Sequence, residues 1–347
     1  MSITDVLWQN RDKLIQSFHI DTIYGLVSTW RRCEQIKQKP LEPDFVAGLV
    51  VESTPLIYSA LKSILDSRRI SVSVSAVFCH QTPQVTFGSR PTESCELGDI
   101  PFAYVHTPRI RQTRRNGILF QAKASSRQPY HIHSGEMNQL HLYVDWPNFV
   151  YERSSFLNGQ ERSVTPKAPH SGAQYLLIDD RSPDEPASGL LGFPGTYPIG
   201  CCMPDELLYD HNHLASELFD LFIFRTGRPF EDRKSSAKNR DWSQVVWDLL
   251  ETGVKKSFSR KNSGRFYTPR ATGDTIQMMD GLSFSKTSSS LSCSTATDII
   301  GWNNACSLYD HANDIPPNKY DKGENSEEPQ RGVSVVLIET SEKESVE

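Results

Sequence analysis

Residues 96–124 read ELGDIPFAYVHTPRIRQTRRNGILFQAKA, and the fold depends on how this stretch pairs with itself. Two extended runs, ELGDIPFAYV (96–105) and GILFQAKA (117–124), flank a polar, basic connection. Aromatic, β-branched and small apolar residues in both runs favour strands. An antiparallel hairpin centred near Ile110 sets Pro101 opposite Leu119, Ala103 opposite Gly117 and Asp99 opposite Gln121, with the turn on TPRIRQT (107–113). Because strand side chains alternate, Gln121 and Lys123 share a face about 6.6 Å apart along the strand, beside Asp99. Pro101 cannot donate to a ladder, which predicts an edge position or a bulge for its strand.

A face holding a carboxylate, an amide oxygen and an amine suits metal-assisted phosphodiester hydrolysis. Asp99, the Gln121 side-chain oxygen and the Ala122 backbone carbonyl are an oxygen set for Mg²⁺ or Mn²⁺. Such an ion polarises a phosphate and acidifies a water. Lys123 beside it orients or helps deprotonate that water and offsets phosphate charge. Arg109, Arg111, Arg114 and Arg115 in the connection are placed to grip phosphates flanking the cut. A second cluster, KKSFSRKNSGRFYTPR (255–270), interleaves Lys255, Lys256, Arg260 and Lys261 with aromatic rings, a composition suited to nucleic-acid strands.

Working outward, residues 4–38 carry two apolar-periodic stretches, with Leu7, Leu14 and Phe18 in the first and Ile23, Leu26 and Trp30 in the second, which predict two short helices. Residues 44–69 predict a helix capped by Asp44, with Pro55 kinking or splitting it after Thr54. Strands follow at ISVSVSAVF (70–78) and QVTF (84–87). After the hairpin, 134–144 predicts a helix, QYLLIDD (174–180) a buried strand, and 213–225 and 241–258 two more helices, the latter capped by Asp241. Beyond about Arg260 the regular pattern fades into polar stretches, before a last strand at VSVVLIET (333–340).

These elements resemble the PD-(D/E)xK nuclease superfamily of restriction-type enzymes. Glu96-Leu97-Gly98-Asp99-Ile100 matches its Asp-bearing strand, and Phe120-Gln121-Ala122-Lys123 its third strand in the variant where Gln replaces the acid. The resemblance implies an α/β, restriction-endonuclease-like core, a mixed central sheet flanked by helices, over residues 44–180. An N-terminal helical extension (1–43), a mainly helical region (181–282) and a polar tail (283–347) complete the chain. It also implies a metal-dependent DNA endonuclease, with Glu52 as the additional first-helix glutamate and Glu96 as a further carboxylate for the ion. A restriction or antiviral-defence role, a regulatory or sensor partner and a homo-oligomer fit the same resemblance. A nuclease-like scaffold that binds without cutting is the competing expectation, because Gln121 brings no charge.

Composition sets the outer bounds. The 347 residues carry a formal net charge of -5, so nucleic acid or an anionic membrane cannot be bound by bulk charge and any such contact must use a local patch. Seven cysteines, an odd number without a CxxC pair, indicate neither a disulfide framework nor a zinc ribbon. The start, MSITDVLWQNRDK, lacks a secretory pattern and no stretch is read as membrane-spanning, which predicts a cytoplasmic protein. No Walker loop, Rossmann fingerprint or GxSxG elbow occurs, which argues against an ATPase, a dehydrogenase or a serine hydrolase. Tyr130-His131-Ile132-His133 with Glu136, and the vicinal Cys201 and Cys202 with His211 and His213, leave a zinc hydrolase as a rival.

Overall fold

Asn10 divides the N-terminal helices: its amide closes α1 (Ile3–Gln9) on Leu7 and its side chain donates to the Val6 carbonyl at 2.8 Å. The following α2 (Arg11–Gln35) then runs 25 residues unbroken, so the two short helices expected over 4–38 become one short and one long. This computed structural model describes residues 2–35, 37–77, 83–88, 94–152, 155–165, 172–185, 198–233, 241–258, 275–278 and 334–342.

The next helical stretch begins earlier than its sequence suggests. Leu41 is the cap of α3 (Glu42–Gly48), Pro43 fills the first turn, and the Asp44 carboxylate reaches back to the Leu41 amide at 2.8 Å. Asp44 is therefore inside the first turn and is not the cap. A π turn at Leu49–Ser53 carries α3 directly into α4 (Thr54–Leu65). The extra residue of that turn accommodates Pro55, which lacks an amide and would crowd a regular helix, so the helix continues where a split was expected. Extended to Arg68, this helix is by length and composition able to cross a membrane, contrary to expectation; 72% of its apolar window is buried inside the fold.

The strands and remaining helices follow in the order β1 (Ile70–Val77), β2 (Gln84–Phe87), β3 (Ser94–Glu96), β4 (Ile100–Thr107), β5 (Arg114–Ala124) and β6 (Tyr130–His131). Then come α5 (Met137–Asp145), β7 (Phe149–Glu152), β8 (Glu161–Arg162), β9 (Ala173–Ile178), β10 (Ile199–Cys202), β11 (Leu207–Leu208) and β12 (Asn212–His213). The chain ends with α6 (Leu214–Phe222), β13 (Arg228–Pro229), α7 (Trp242–Phe258), β14 (Thr275–Met278) and β15 (Val335–Glu342). Asp241 caps α7 as expected, accepting from the Ser243 amide at 3.0 Å.

The main sheet has the order β12-β10-β9-β5-β4-β15-β1-β14, with β13 also on β5. It is mixed: β5–β9 and β4–β15 are parallel, and the other pairs are antiparallel. The protein is thus α/β, with helices on both faces. Ile100, Phe102, Tyr104, Ile118 and Phe120 join α1 to α4 and α6 in one core, while Ala103, Val105, Leu119, Tyr175 and Leu177 join α5 and α7 in the other. β2, β3, β7 and β8 form a small antiparallel sheet on the second side.

From Ile100 onward the β4–β5 register is the one read from the sequence, with Pro101 opposite Leu119 and Ala103 opposite Gly117; Asp99 lies outside the ladder and its amide bonds the Phe120 carbonyl, so it does not pair with Gln121 as expected. Pro101 is not at a sheet edge, since β4 lies between β5 and β15, but the two residues before it, Asp99 and Ile100, both oppose Phe120 as in a bulge. Pro101 is tolerated because it is the second residue of the strand, and β15 begins pairing only at Phe102.

The helix carrying Glu42 is seated against α2 through two glycines. A Cβ on Gly48 would lie 2.7 Å from the Gly25 carbonyl oxygen, and one on Gly25 would lie 2.9 Å from the Gly48 carbonyl oxygen. Backbone cannot swing aside as a side chain can. Gly48→Ala is therefore expected to destabilise the fold by about 1–3 kcal/mol, visible as a lower urea midpoint at unchanged slope; a wild-type midpoint would show that the crossing yields.

Candidate functional site

β5 outruns its neighbour. β4 begins at Ile100 and pairs with Phe120, whereas β5 continues to Ala124. The odd-numbered amides of β5 turn toward β9: Leu119 donates to the Gly172 carbonyl and Ser125 to that of Ile178, each at 2.8 Å. Even-numbered positions turn the other way, as Phe120 does when its carbonyl accepts from the Asp99 amide at 2.9 Å. The Ala122 and Ala124 amides therefore face an edge that carries no strand among the described residues. Buried backbone donors must be paired, and carboxylates pair them here. Asp99 Oδ2 accepts from the Ala122 amide at 2.7 Å, and the Glu42 carboxylate accepts from the Ala124 amide.

A strand residue sends its N–H and C=O to the same side. The Ala122 carbonyl consequently opens on this edge, between the amide held by Asp99 and the amide held by Glu42. Two carboxylates and one carbonyl converge there, contributed by the start of α3, the residue before β4 and the end of β5. All are hard oxygen donors of the kind Mg²⁺ and Mn²⁺ take. Among the described residues, no group of three or more His, Cys, Asp or Glu side chains is arranged to hold a metal, so an ion here would need the carbonyl and water.

Lys123 lies on the same face of β5 as Gln121, with Asp99 beside them, as alternation predicts. Its Nζ is 2.8 Å from Glu136 Oε1. Glu136 is itself held by the Tyr130 hydroxyl at 3.0 and 3.1 Å and by the His133 amide at 3.0 Å. Gln121 is engaged otherwise than expected. Its Oε1 accepts from Gln139 Nε2, which also donates to the Glu96 carbonyl at 2.9 Å. The second bond fixes which end of Gln139 faces Gln121, so the Gln121 oxygen is occupied and leaves the ligand set. Glu96 contributes its backbone carbonyl to this network.

Glu52, expected as the first-helix glutamate, is paired with Arg32 of α2. Glu42, one helical segment earlier, lies near Asp99 and Lys123 instead. Starting the helix at Asp44 hid it; the Glu-Pro-Asp order at 42–44, an acid–proline–acid first turn, was the available signal. Glu136 was legible only as a neighbour of the histidines.

Burial penalises the charged forms of both carboxyls. It pushes Asp99 up to about 6, against the Ala122 hydrogen bond and Lys123. It pushes Glu42 up to about 8, with Asp99 and Glu136 adding repulsion and Lys123 opposing it. Burial also works against the Lys123 ammonium, but Glu42, Glu136 and Asp99 outweigh it and hold the lysine above its ordinary value. Glu136 falls below the usual glutamate value, because Lys123 and the His133 amide outweigh its partial burial. Lys123 is therefore a fixed cation at neutral pH.

The arginine-rich turn does not adjoin this site. Asp99 precedes β4 and the turn follows it; at about 3.3 Å per residue along the 8-residue strand, roughly 26 Å separate them. A hairpin places its turn at the opposite end from its open strand termini, so Arg109, Arg111, Arg114 and Arg115 cannot grip phosphates next to Asp99. Lys255 and Lys256 fall in α7 without described side chains, and Arg260 and Lys261 lie outside the described residues.

The zinc alternative is not assembled. Cys201 and Cys202 point to opposite faces of β10, one into each core, and burial pushes both thiols up. His213 caps α6, with Nδ1 accepting from the Ser216 amide at 3.0 Å. His131 and His133 are exposed.

The raised carboxyl values fix a pH dependence. A folded pKa above the unfolded one means that the native state holds protons the unfolded chain releases, so stability falls as pH rises between the two values. The window runs from about 4 to about 6 for Asp99 and on to about 8 for Glu42. Metal-free protein should melt at a lower temperature at pH 8 than at pH 5.5, and Glu42→Gln should flatten the upper part of that decline. An unchanged profile in the variant would exclude Glu42 as its source.

No protein-family profile, curated protein or solved structure matches this chain.

Proposed function

We propose that the chain is a metal-dependent DNA endonuclease whose working groups are Asp99, Glu42, the Ala122 carbonyl and Lys123. The observation that carries this reading is the convergence of the buried Asp99 carboxyl, the partly buried Glu42 carboxyl and a carbonyl on the uncovered edge of β5, with a fixed lysine beside them. The order helix, β1, β4, β5, α5, β9, with β5 and β9 parallel, supports a restriction-endonuclease-like core. Glu42 supplies the charge that Gln121 lacks.

Asp99, Glu42 and Ala122 would hold Mg²⁺ or Mn²⁺. Bound there, the ion would polarise the phosphate and acidify a water. The chain's own contribution is placement. Asp99 is fixed by the Ala122 amide and Glu42 by that of Ala124, so neither carboxylate reorients when substrate arrives. Lys123 stays protonated, which makes it a donor to a phosphate oxygen or to the attacking water and excludes it as the base. Glu136, braced by Tyr130, sets the position of Lys123. A cytoplasmic setting, a role in restriction or antiviral defence and activation by a partner belong to the same proposal.

A second reading, a binding scaffold without activity, is favoured by one observation: Gln121 is occupied by Gln139 and Lys123 by Glu136, leaving both polar groups satisfied without a ligand. Plasmid cleavage with Mn²⁺ separates the two. On the nuclease reading, Asp99→Asn, Glu42→Gln and Lys123→Ala each slow cleavage about 10²–10³-fold, while Glu52→Gln leaves it unchanged. Cleavage that survives both Asp99→Asn and Lys123→Ala would place the chemistry elsewhere; no wild-type cleavage and no Mn²⁺ uptake by calorimetry would favour the scaffold.

A further inference from the structure

The two ends of the β4–β5 hairpin treat their cations differently. At the carboxylate end most cations are paired, Lys123 with Glu136, Lys39 with Asp180, Arg181 with Asp179 and Arg31 with Asp184, and a single exposed arginine just past β5, Arg127, forms no ion pair with any described residue. At the turn end, Arg68, Arg69, Arg111, Arg114 and Arg225 are exposed and form no ion pair with any described residue. The sheet brings them together. Ser341 of β15 lies beside Thr107 and Glu342 lies opposite Ile70, so Arg68 and Arg69 are about two strand spacings, roughly 10 Å, from the β4–β5 turn.

Two of these arginines lie on aromatic rings. The Arg114 guanidinium carbon is 3.7 Å from the Phe224 ring centre, and that of Arg225, the next residue, is 4.3 Å from the ring centre of Trp8. Trp8 is 44% exposed and Ile110, at the tip of the turn, is 91% exposed. Phe224 holds its place in the left-handed region, at φ 62°, a conformation uncommon for an aromatic residue.

We infer that this end of the sheet is a binding surface for a nucleic-acid strand with unpaired bases, remote from the proposed cutting site. The reasons are charge and shape together. Guanidinium planes braced on rings present flat cationic faces on which a base can stack, while their edges donate to phosphates. An unpaired arginine has no carboxylate to give up when phosphate arrives, unlike Lys39 or Arg181. Ile110, flanked by Arg109 and Arg111, offers an apolar tip to a splayed base. In a chain of net charge -5, five exposed arginines at one end, none in an ion pair with any described residue, are the local patch that polyanion binding requires.

This surface does not rest on the nuclease reading, and its test is run without metal. A fluorescein-labelled single-stranded oligonucleotide is titrated in EDTA with the full chain and followed by anisotropy. The wild type should bind it, more tightly than the matching duplex. The exposed substitutions Arg111→Ala, Arg114→Ala and Arg225→Ala combined should weaken binding at least about tenfold and reduce the slope of log affinity against log salt by about 2, with an unchanged melting temperature. Asp99→Asn should bind like the wild type whether or not cleavage is ever observed. Equal binding by the triple variant, equal affinity for duplex, or binding to phosphatidylserine vesicles with none to oligonucleotides would each overturn the inference.

Discussion

The candidate site exists because β5 is longer than the strand beside it. Past Phe120 its edge carries two amides, those of Ala122 and Ala124, that pair with no strand among the described residues. An unpaired buried amide costs on the order of 1–3 kcal/mol, and the fold meets that demand with the Asp99 and Glu42 carboxylates. The same arrangement burdens the carboxyls. Taken from water and set near each other, they resist ionisation, and the unfavourable term is relieved by anything that brings positive charge to the edge. Lys123 supplies part of that charge and is in turn anchored by Glu136. Backbone geometry, carboxylate burial and lysine placement are thus three aspects of one constraint.

That constraint explains why elements from distant parts of the chain converge here. Glu42 belongs to the layer of α1 to α4, and Glu136 and Gln139 to the layer of α5 on the opposite face. Only at the end of the sheet can side chains from both layers meet. The Gly25–Gly48 contact brings the α3 helix close to α2, and the π turn lets that helix continue past Pro55. The site is consequently sensitive to packing well away from it. A shift of α3 by a fraction of an ångström would part Glu42 from the Ala124 amide while leaving Asp99 in place.

Local patterns were legible in the sequence to the extent that they carried their own geometry. The hairpin could be registered from its alternation and turn residues, and with it the common face of Gln121 and Lys123. Long-range pairing was not legible. Nothing in VSVVLIET specifies that it inserts parallel to β4 and antiparallel to β1, and that insertion is what makes β4 internal despite Pro101. Glu42 escaped for a related reason: its role depends on where a helix start lies in space, and the capping pattern was taken from Asp44 when Leu41 was the cap. The arginine turn was identified by composition, but hairpin topology assigns it to the end opposite Asp99.

The separation of the two charged ends has a consequence for how a polyanion would meet this molecule. Roughly 26 Å corresponds to about seven or eight nucleotide steps of duplex rise, so one short segment cannot touch both ends through adjacent phosphates. Near Asp99 the carboxyls offer a bare phosphate no positive charge, and in the absence of a cation Lys123 is already committed to Glu136. At the turn Arg111 and Arg114 form no ion pair with any described residue, and long-range attraction acts first. A strand captured there would be tethered within reach of the carboxylate edge without entering it. Entry would then depend on charge neutralisation at Asp99 and Glu42. On the proposed function, capture and cutting would be governed by different groups, and the turn would bind a strand under conditions in which the edge of β5 is inactive.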